Sequence, residues 1–282
     1  MTSWNRLLAV IAALSATLGC SKKEEPPELL LPSAQKAPAQ VTFKDDAGTP
    51  VPREELAGKT GTLQWEVSSP EPVPERAQQL HDEGRRLGQQ GAYAEALKRF
   101  EEAQALAPRW PYPTYDAAFT YLLMGEDAKA LEAYAWVDAQ QPRGFFTTKT
   151  ALASLRQEER GQLPKGTYLR FLSVEWAPDP ASKRKLLQAI VKSAPRFAPA
   201  LKEMALLLDD AGEKLRTIEK ALTLEPDPET RGILQLNRAI ILHDQGKQAQ
   251  ARTLLVQLRD DPGSTTATVA LANESLAQLF NH

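Results

Sequence analysis

Residues 77–142 read AQQLHDEGRRLGQQGAYAEALKRFEEAQALAPRWPYPTYDAAFTYLLMGEDAKALEAYAWVDAQQP, and within them the sequence repeats itself at an interval of 34 residues. A fixed period of about 20–50 residues is typical of proteins that stack one supersecondary unit on the next. The fold is therefore predicted to be an array of repeats. Small residues, an aromatic residue and a proline recur in both copies: Gly91 with Gly125, Ala94 with Ala128, Ala96 with Ala130, Leu97 with Leu131, Phe100 with Tyr134, Ala105 with Ala139, and Pro108 with Pro142.

Each copy has the pattern of two helices joined at a glycine. In the first copy, apolar residues recur at intervals of three and four over 75–90 and again over 93–107, which is the spacing of one helix face. Gly91 stands where the first helix ends, because glycine readily adopts the left-handed backbone of a helix terminus. Pro108 stops the second helix, and Gly125 and Pro142 occupy the same places in the second copy.

The glycine between the helices, the alanine five residues later, the following aromatic and the closing proline are together similar to the tetratricopeptide repeat. This resemblance implies an all-α, right-handed solenoid of helix hairpins. It also implies that small residues let antiparallel helices approach closely while aromatic residues fill the gap to the next repeat. The predicted repeat-packing residues are Gly91, Ala96, Phe100, Pro108, Ala118, Gly125, Ala130, Tyr134, Pro142, Gly246 and Ala251.

The array is predicted to continue to the end of the chain with changing regularity. Residues 75–144 form two well-formed units, 145–194 form degenerate helices, 195–263 form further units and 264–282 form a capping helix. The expected helices after the second unit span 145–160, 167–176, 181–193, 197–208, 213–224 and 265–280. A terminal helix with a polar outer face is the usual end of a solenoid.

The N-terminal 19 residues have the pattern of a signal peptide. One positive charge lies within residues 1–6, an apolar run follows over 7–18, and the only cysteine is Cys20. The sequence Thr17-Leu18-Gly19-Cys20 resembles a bacterial lipobox, which implies cleavage before Cys20 and a palmitate-bearing lipid on it. By the same resemblance Ser21 favours the outer membrane over the inner. The alternative is a plain signal peptide with a chance cysteine.

Residues 20–74 are predicted to be a tether. Nine of the 21 prolines lie between residues 21 and 74, and the first part is charged and cannot bury much apolar surface. Within it, residues 41–43 and 62–67 alternate in polarity like strands, which indicates a short β-hairpin.

Composition and motifs disfavour several functional classes. The net charge of −2 offers no basic field for nucleic acid. The three histidines are far apart in sequence and show no metal-ligand spacing with the single cysteine, so no metal and no cofactor are expected. No nucleophile elbow, zinc-protease or phosphate-loop pattern occurs, and we therefore expect a protein that is not an enzyme. An enzyme of unrecognised type is the minor alternative.

The resemblance implies binding of a protein or peptide partner along the concave face, which the first helix of each unit lines. The expected function is that of a lipid-anchored adaptor in the cell envelope, and the alternative is a structural assembly factor for an outer-membrane, pilus or cell-wall complex. Equally, the residues of this face could simply pack between neighbouring helices. The predicted groove residues are His81, Arg85, Gln89, Tyr112, Tyr115, Phe119, Leu122, Ile233, Leu236 and Ile240.

Overall fold

A computed structural model describes residues 41–44, 50–51, 64–67 and 72–280. The predicted signal peptide, Cys20 and most of the tether lie outside the described residues. The chain divides into two compact units, Met1–Pro72 and Val73–His282.

The first unit contains a small antiparallel sheet. Its strands are β1 (Val41–Lys44), β2 (Pro50–Val51) and β3 (Gln64–Val67), and β1 lies between the other two. Phe43 on β1 stands opposite Val51 on β2 and Trp65 on β3. The sequence predicted β1 and β3, whereas β2 was not predicted because a two-residue strand is too short to show alternation.

The second unit is helical throughout its described length. Its α-helices are α1 (Glu75–Gln89), α2 (Tyr93–Leu106), α3 (Tyr112–Leu123), α4 (Asp127–Gln140), α5 (Thr148–Glu159), α6 (Thr167–Leu172), α7 (Pro180–Ser193), α8 (Ala198–Leu206), α9 (Ala211–Leu222), α10 (Pro228–Asp244), α11 (Gln248–Asp260) and α12 (Thr266–Phe280). A 3₁₀ turn, Ser173–Trp176, continues α6. No helix of the described residues is both long and apolar enough to cross a bilayer.

Consecutive helices pack against each other as hairpins, among them α1 with α2, α3 with α4, α8 with α9, and α10 with α11. Three of the hairpin turns use a glycine with a positive φ, which is +80° at Gly91, +75° at Gly125 and +77° at Gly246. Only glycine adopts this backbone without a steric penalty, so the repeated glycine has a direct structural cause. The all-α array of helix hairpins predicted from the 34-residue period is thus confirmed.

The small residues of the repeat lie at helix contacts. Ala96, Ala118 and Ala130 are completely buried, as is Ala251 in the last hairpin. The two matched aromatics, Phe100 and Tyr134, are also buried. Space at these contacts is tight, since a Cβ placed on Gly84 would come within 2.6 Å of the Phe100 ring.

Helix boundaries in the middle of the chain differ from those predicted. α5 begins at Thr148 and not at residue 145, because Gly144 (φ +91°) and Phe146 (φ +46°) both turn the backbone left-handed. The predicted helix over 167–176 is divided into α6 and the 3₁₀ turn. The helix predicted to begin at residue 213 begins two residues earlier, where the Asp210 carboxylate accepts a hydrogen bond from the Glu213 N–H at 2.7 Å and caps the helix.

The array also makes a contact that a simple solenoid lacks. In a solenoid each repeat contacts only its neighbours. Here α5 packs against α10, and the turn before α5 reaches the start of α12, where the Thr266 N–H donates to the Arg143 carbonyl at 2.8 Å. Residues more than 120 positions apart are therefore in contact, and the helical unit closes on itself.

Candidate functional site

The structure corrects the predicted groove in the second repeat unit. Tyr112, Tyr115, Phe119 and Leu122 on α3 were expected to line an open concave face, but all four side chains are buried. The turn before α5 lies across this face of α3. Its Phe145 ring packs 4.9 Å from Tyr112 and 5.5 Å from Tyr115, measured between ring centroids, so the aromatic residues belong to the core.

The predicted groove residues of the first unit divide into buried and exposed positions. His81 is buried beside the Trp110 ring, and its Nε2 lies 2.8 Å from Asp116 Oδ2. The Nε of Arg85 lies 3.7 Å from the same carboxylate oxygen, so one buried acid on α3 holds two basic side chains of α1. Gln89 is exposed. A buried ion pair of this kind holds two helices in one packing arrangement. Of His81, Arg85 and Gln89, only Gln89 is therefore open to a partner.

The residues predicted on α10 lie in the C-terminal part of the array. Leu236 is buried in a core formed with α11 and α12, and Ile240 packs against the same core while partly exposed. Ile233 is also partly exposed. Whether a partner contacts any of these side chains stays a prediction.

A cluster of hydrogen bonds, which we call the clasp, joins the start of α5 to the start of α10. Glu229 accepts the Lys149 N–H at 3.0 Å with Oε1 and the Thr150 N–H at 2.9 Å with Oε2. The Thr150 hydroxyl lies 3.0 Å from both Asp227 Oδ1 and Glu229 Oε2. The side chain of the N-cap residue Thr147 does not cap α5. Glu229, about 80 residues away in sequence, instead accepts the free N–H groups of the first turn of this helix.

The clasp has an unusual electrostatic state. Burial of its carboxylate, together with the neighbouring charge of Asp227, raises the pKa of Glu229 to about 8. The hydrogen bonds from Thr150 and Lys149 oppose that shift without cancelling it. The ammonium group of Lys149 is turned toward α4, where it pairs with Asp138 at 2.6 Å, so it does not neutralise Glu229 directly.

The start of α12 extends the clasp. The Arg143 guanidinium donates to the Ser264 carbonyl at 3.3 Å, and a Cβ on Gly144 would lie 3.1 Å from the Thr265 side chain. On α10, a Cβ placed on Gly232 would overlap the Thr268 side chain. Two glycines therefore permit the close approach of these three segments.

A cleft of about 400 Å³ opens beside the clasp. One wall is the second half of α5, and the other walls are the loops that precede α8 and α10. The cleft is lined by Ala153, Ser154, Gln157, Gln162, Arg196, Phe197, Ala198, Pro199, Leu224, Glu225, Pro226 and Asp227.

Four polar side chains at this cleft have unused hydrogen-bonding capacity. The side chains of Gln157, Gln162, Arg196 and Glu225 form no hydrogen bond or ion pair with any residue that the structure describes. Between them they present two amides, a guanidinium and a carboxylate next to apolar walls. Such a set offers donors and acceptors to an incoming chain, which would displace water and break no hydrogen bond within the protein.

A second cavity, of about 200 Å³, has a structural explanation. It lies between α4 and the end of α5 and contains Glu158. The Glu158 carboxylate accepts the N–H groups of Gly166 and Tyr168, both at 2.6 Å, and thereby caps α6. Burial raises the pKa of Glu158 above its ordinary value. Among the described residues, no group of three or more His, Cys, Asp or Glu side chains could hold a metal ion.

The sequence alone indicated neither the cleft nor the clasp. The local signal Asp227-Pro228-Glu229 is a readable helix start, because Asp is a favoured N-cap and Pro a favoured first helical residue. Nothing local, however, shows that Glu229 also caps a second helix. That pairing depends on how the array curves.

No protein-family model and no curated protein sequence matches this chain. Among solved structures, residues 41 to the end of MamA from Desulfovibrio magneticus RS-1 are similar at 16% identity, covering 66% of this chain and 94% of that one, with a TM-score of 0.32. TTC0263, a thermophilic tetratricopeptide repeat protein of Thermus thermophilus, is 22% identical and covers 71% of this chain and 99% of its own, with a TM-score of 0.30. A tetratricopeptide repeat protein of Parabacteroides merdae is 16% identical over 72% of this chain and 85% of its own, with a TM-score of 0.33.

Proposed function

We propose that this protein is a non-catalytic adaptor of the bacterial cell envelope that binds an extended segment of a partner protein in the cleft beside α5. The observation that carries the proposal is the set of four unengaged polar side chains lining that cleft, two of them glutamines. A side-chain amide can donate to a backbone carbonyl and accept from a backbone N–H at the same time, which suits an extended peptide.

The dimensions and walls of the cleft agree with this ligand. Its volume of about 400 Å³ falls within the range of about 300–1,000 Å³ that is common for binding sites. Phe197, Leu224 and Pro226 supply apolar surface, while Arg196 and Glu225 offer one charge of each sign. A segment with small apolar side chains and an acidic residue placed toward Arg196 would use the apolar surface and the guanidinium.

The location in the envelope rests on the N-terminal sequence. A basic start, an apolar run and Cys20 support lipidation of Cys20, and Ser21 favours the outer membrane over the inner. More than one acyl chain is needed for stable attachment, and we propose that the lipid holds the adaptor at the membrane. Labelling of cells with a palmitate analogue should mark the protein and leave Cys20→Ala unmarked. Equal labelling of both would exclude this anchor.

The cleft is tested by photocrosslinking in the full chain. A photoreactive amino acid at Gln162, on the cleft, should give a crosslinked partner band from envelope membranes, whereas the same group at Gln245, in the α10–α11 turn, should not. Arg196→Ala should reduce the yield at least about fivefold, and Arg252→Ala, which removes an exposed arginine on α11, should not.

The two arginine variants are a matched pair, since both side chains are exposed. Both proteins should keep the thermal midpoint of the parent. An unchanged crosslinking yield in Arg196→Ala, or equal yields from Gln162 and Gln245, would contradict the proposed binding site.

A further inference from the structure

A continuous chain of hydrogen bonds connects the two walls of the cleft through the clasp. Ser154, on the α5 wall, donates from its hydroxyl to the Thr150 carbonyl at 2.5 Å. The Thr150 hydroxyl in turn lies 3.0 Å from Asp227 Oδ1, and Asp227 lines the opposite wall. The clasp therefore forms one end of the cleft, and its hydrogen bonds connect the two cleft walls directly.

Backbone strain is concentrated on the two loops that the clasp joins. Among the described residues, the only non-glycine residues with positive φ are Phe146, at +46°, and Glu225, at +52°. Phe146 lies two residues before α5, and Glu225 lies two residues before the α10 N-cap Asp227. Such conformations persist only where surrounding contacts hold them, and they concentrate in segments that switch or bind.

The clasp also contains polar groups that must find partners if it opens. The N–H groups of Lys149 and Thr150 are the unsatisfied donors of the first turn of α5 and depend on Glu229. Water can replace Glu229 at the Lys149 N–H, since Lys149 is partly exposed, whereas the Thr150 N–H is buried while the clasp is closed. Opening of the clasp therefore does not require the helices themselves to unfold.

We infer that the clasp is a gate that sets the separation of the cleft walls, with Glu229 and Thr150 as the positioning residues. The closed gate holds α5 against the loop 224–227, and release of the Glu229 contacts lets these two walls part while the helix hairpins stay folded. The inference rests on the proposed function only in taking the cleft as the binding site. It concerns how that site is held, and it can be tested without a partner.

The test measures the reactivity of a buried thiol on the cleft wall. Ser154 is 2% exposed, so the thiol introduced by Ser154→Cys in a Cys20→Ala chain should react slowly with a small disulfide reagent. Adding Glu229→Ala should raise that rate at least about tenfold, because the hydrogen bonds that Glu229 accepts from two N–H groups are lost. Glu229→Gln keeps one acceptor oxygen, which can serve only one of the two N–H groups, and should restore part of the protection.

A second buried thiol distinguishes gating from general instability. The thiol from Ala251→Cys, at a fully buried position on α11, should react at the same rate with and without Glu229→Ala. The accelerated rate at residue 154 should also change little in dilute urea, since local opening exposes little new surface. Hydrogen exchange of the Lys149 and Thr150 amides should accelerate in Glu229→Ala and in Thr150→Val.

Two results would overturn the gate. One is an unchanged rate at residue 154 in Glu229→Ala. The other is an equal, steeply urea-dependent acceleration at residues 154 and 251, which would make the clasp a contributor to global stability alone. A failure of the crosslinking at Gln162 with the expected thiol rates would instead reject the proposed binding site and leave the gate in place.

Discussion

Glu229 shows how one residue acquires a role that its local sequence does not specify. Its position near the start of α10 is ordinary for an acidic residue, which favours a helix N-terminus. Its carboxylate, however, is used by α5, where it accepts two backbone N–H groups. The charged and titratable groups around it are Asp227 on its own loop, Lys149 on α5, Arg143 in the turn before α5, and the phenols of Tyr115 on α3 and Tyr168 on α6.

This environment predicts a pH dependence of stability. The pKa of Glu229 is raised to about 8 in the folded protein, against roughly 4.3 in an unfolded chain. Between these values the folded state binds more protons than the unfolded state, so the free energy of unfolding should fall as the pH rises from about 4.5 to 8. In the parent, Glu229 should contribute on the order of 1–3 kcal/mol to the fall in unfolding free energy over this pH range, and Glu229→Gln should remove that contribution. Urea unfolding at pH 5 and pH 8 measures it, and parallel curves for the parent and the variant would contradict the raised pKa.

Gly232 is a second residue whose identity is set by a distant segment. A methyl group there would overlap the hydroxyl oxygen of Thr268 on α12. Gly232→Ala should therefore destabilise the protein by about 1–3 kcal/mol through overpacking, although alanine is the better helix former.

Two comparisons separate overpacking from helix propensity at Gly232. Gly212→Ala on α9 would approach the capping oxygen of Asp210 at 3.2 Å and Arg216 at 3.5 Å, a much looser fit than at Gly232, and should therefore cost much less. Gly232→Ala combined with Thr268→Ala should recover part of the loss, because the overlapping atoms are gone. The denaturant midpoints of the variants measure these effects. A higher midpoint for Gly232→Ala than for the parent would contradict the close contact between Gly232 and Thr268.

At the level of elements, the first two hairpins are held in register by a buried acid. Asp116 on α3 is 5% exposed and receives both His81 and Arg85 from α1. The 34-residue period predicts that α1 and α3 are neighbours, but it does not show that a charge lies between them. Removal of one partner from a buried group of charges leaves the others without compensation, and that cost exceeds what the intact pair contributes.

Asp116→Ala should consequently cost about 3–5 kcal/mol of unfolding free energy. Asp116→Asn should cost less, because its amide oxygen can still accept from the His81 ring. Asp260→Ala serves as the control: that carboxylate pairs with Arg259 at 2.7 Å on the exposed surface, and its loss should leave the midpoint unchanged. Equal midpoints for the Asp116 and Asp260 variants would show that the buried group has no special role.

For the whole molecule, the important departure from a simple array is closure. An open solenoid loses a terminal repeat with effects confined to its neighbour. Here the start of α12 donates to the turn before α5, and Arg143 donates back to the Ser264 carbonyl. The last helix therefore supports a segment in the middle of the chain.

A truncation tests this closure. Removal of residues 264–282 should accelerate hydrogen exchange at the Lys149 and Thr150 amides, more than 110 residues away, as well as in the adjacent α11. Exchange within α1 and α2 should stay as in the full chain, because these helices pack mainly against each other and against α3. Unaltered protection at Lys149 and Thr150 would mean that the array behaves as an open one.

The sequence by itself determined the repeating part of this protein. Local spacing sets helix faces, a glycine such as Gly91 sets a left-handed turn, and an alanine such as Ala96 or Ala130 permits a close helix contact, so elements and their pairing can be read from a 34-residue period. The same pattern placed Tyr115 and Phe119 on an inner face without showing that Phe145 would pack on Tyr115 and Trp176 on Phe119.

Only the tertiary structure decided which surface is open. The curvature of the array brings α5 to α10 and the turn before α5 to α12, and that curvature is the sum of small rotations between successive repeats. No single stretch of sequence records such a sum. For this reason the clasp at Glu229 and the cleft beside it, which carry the proposed function, emerge from contacts between residues about 80 positions apart.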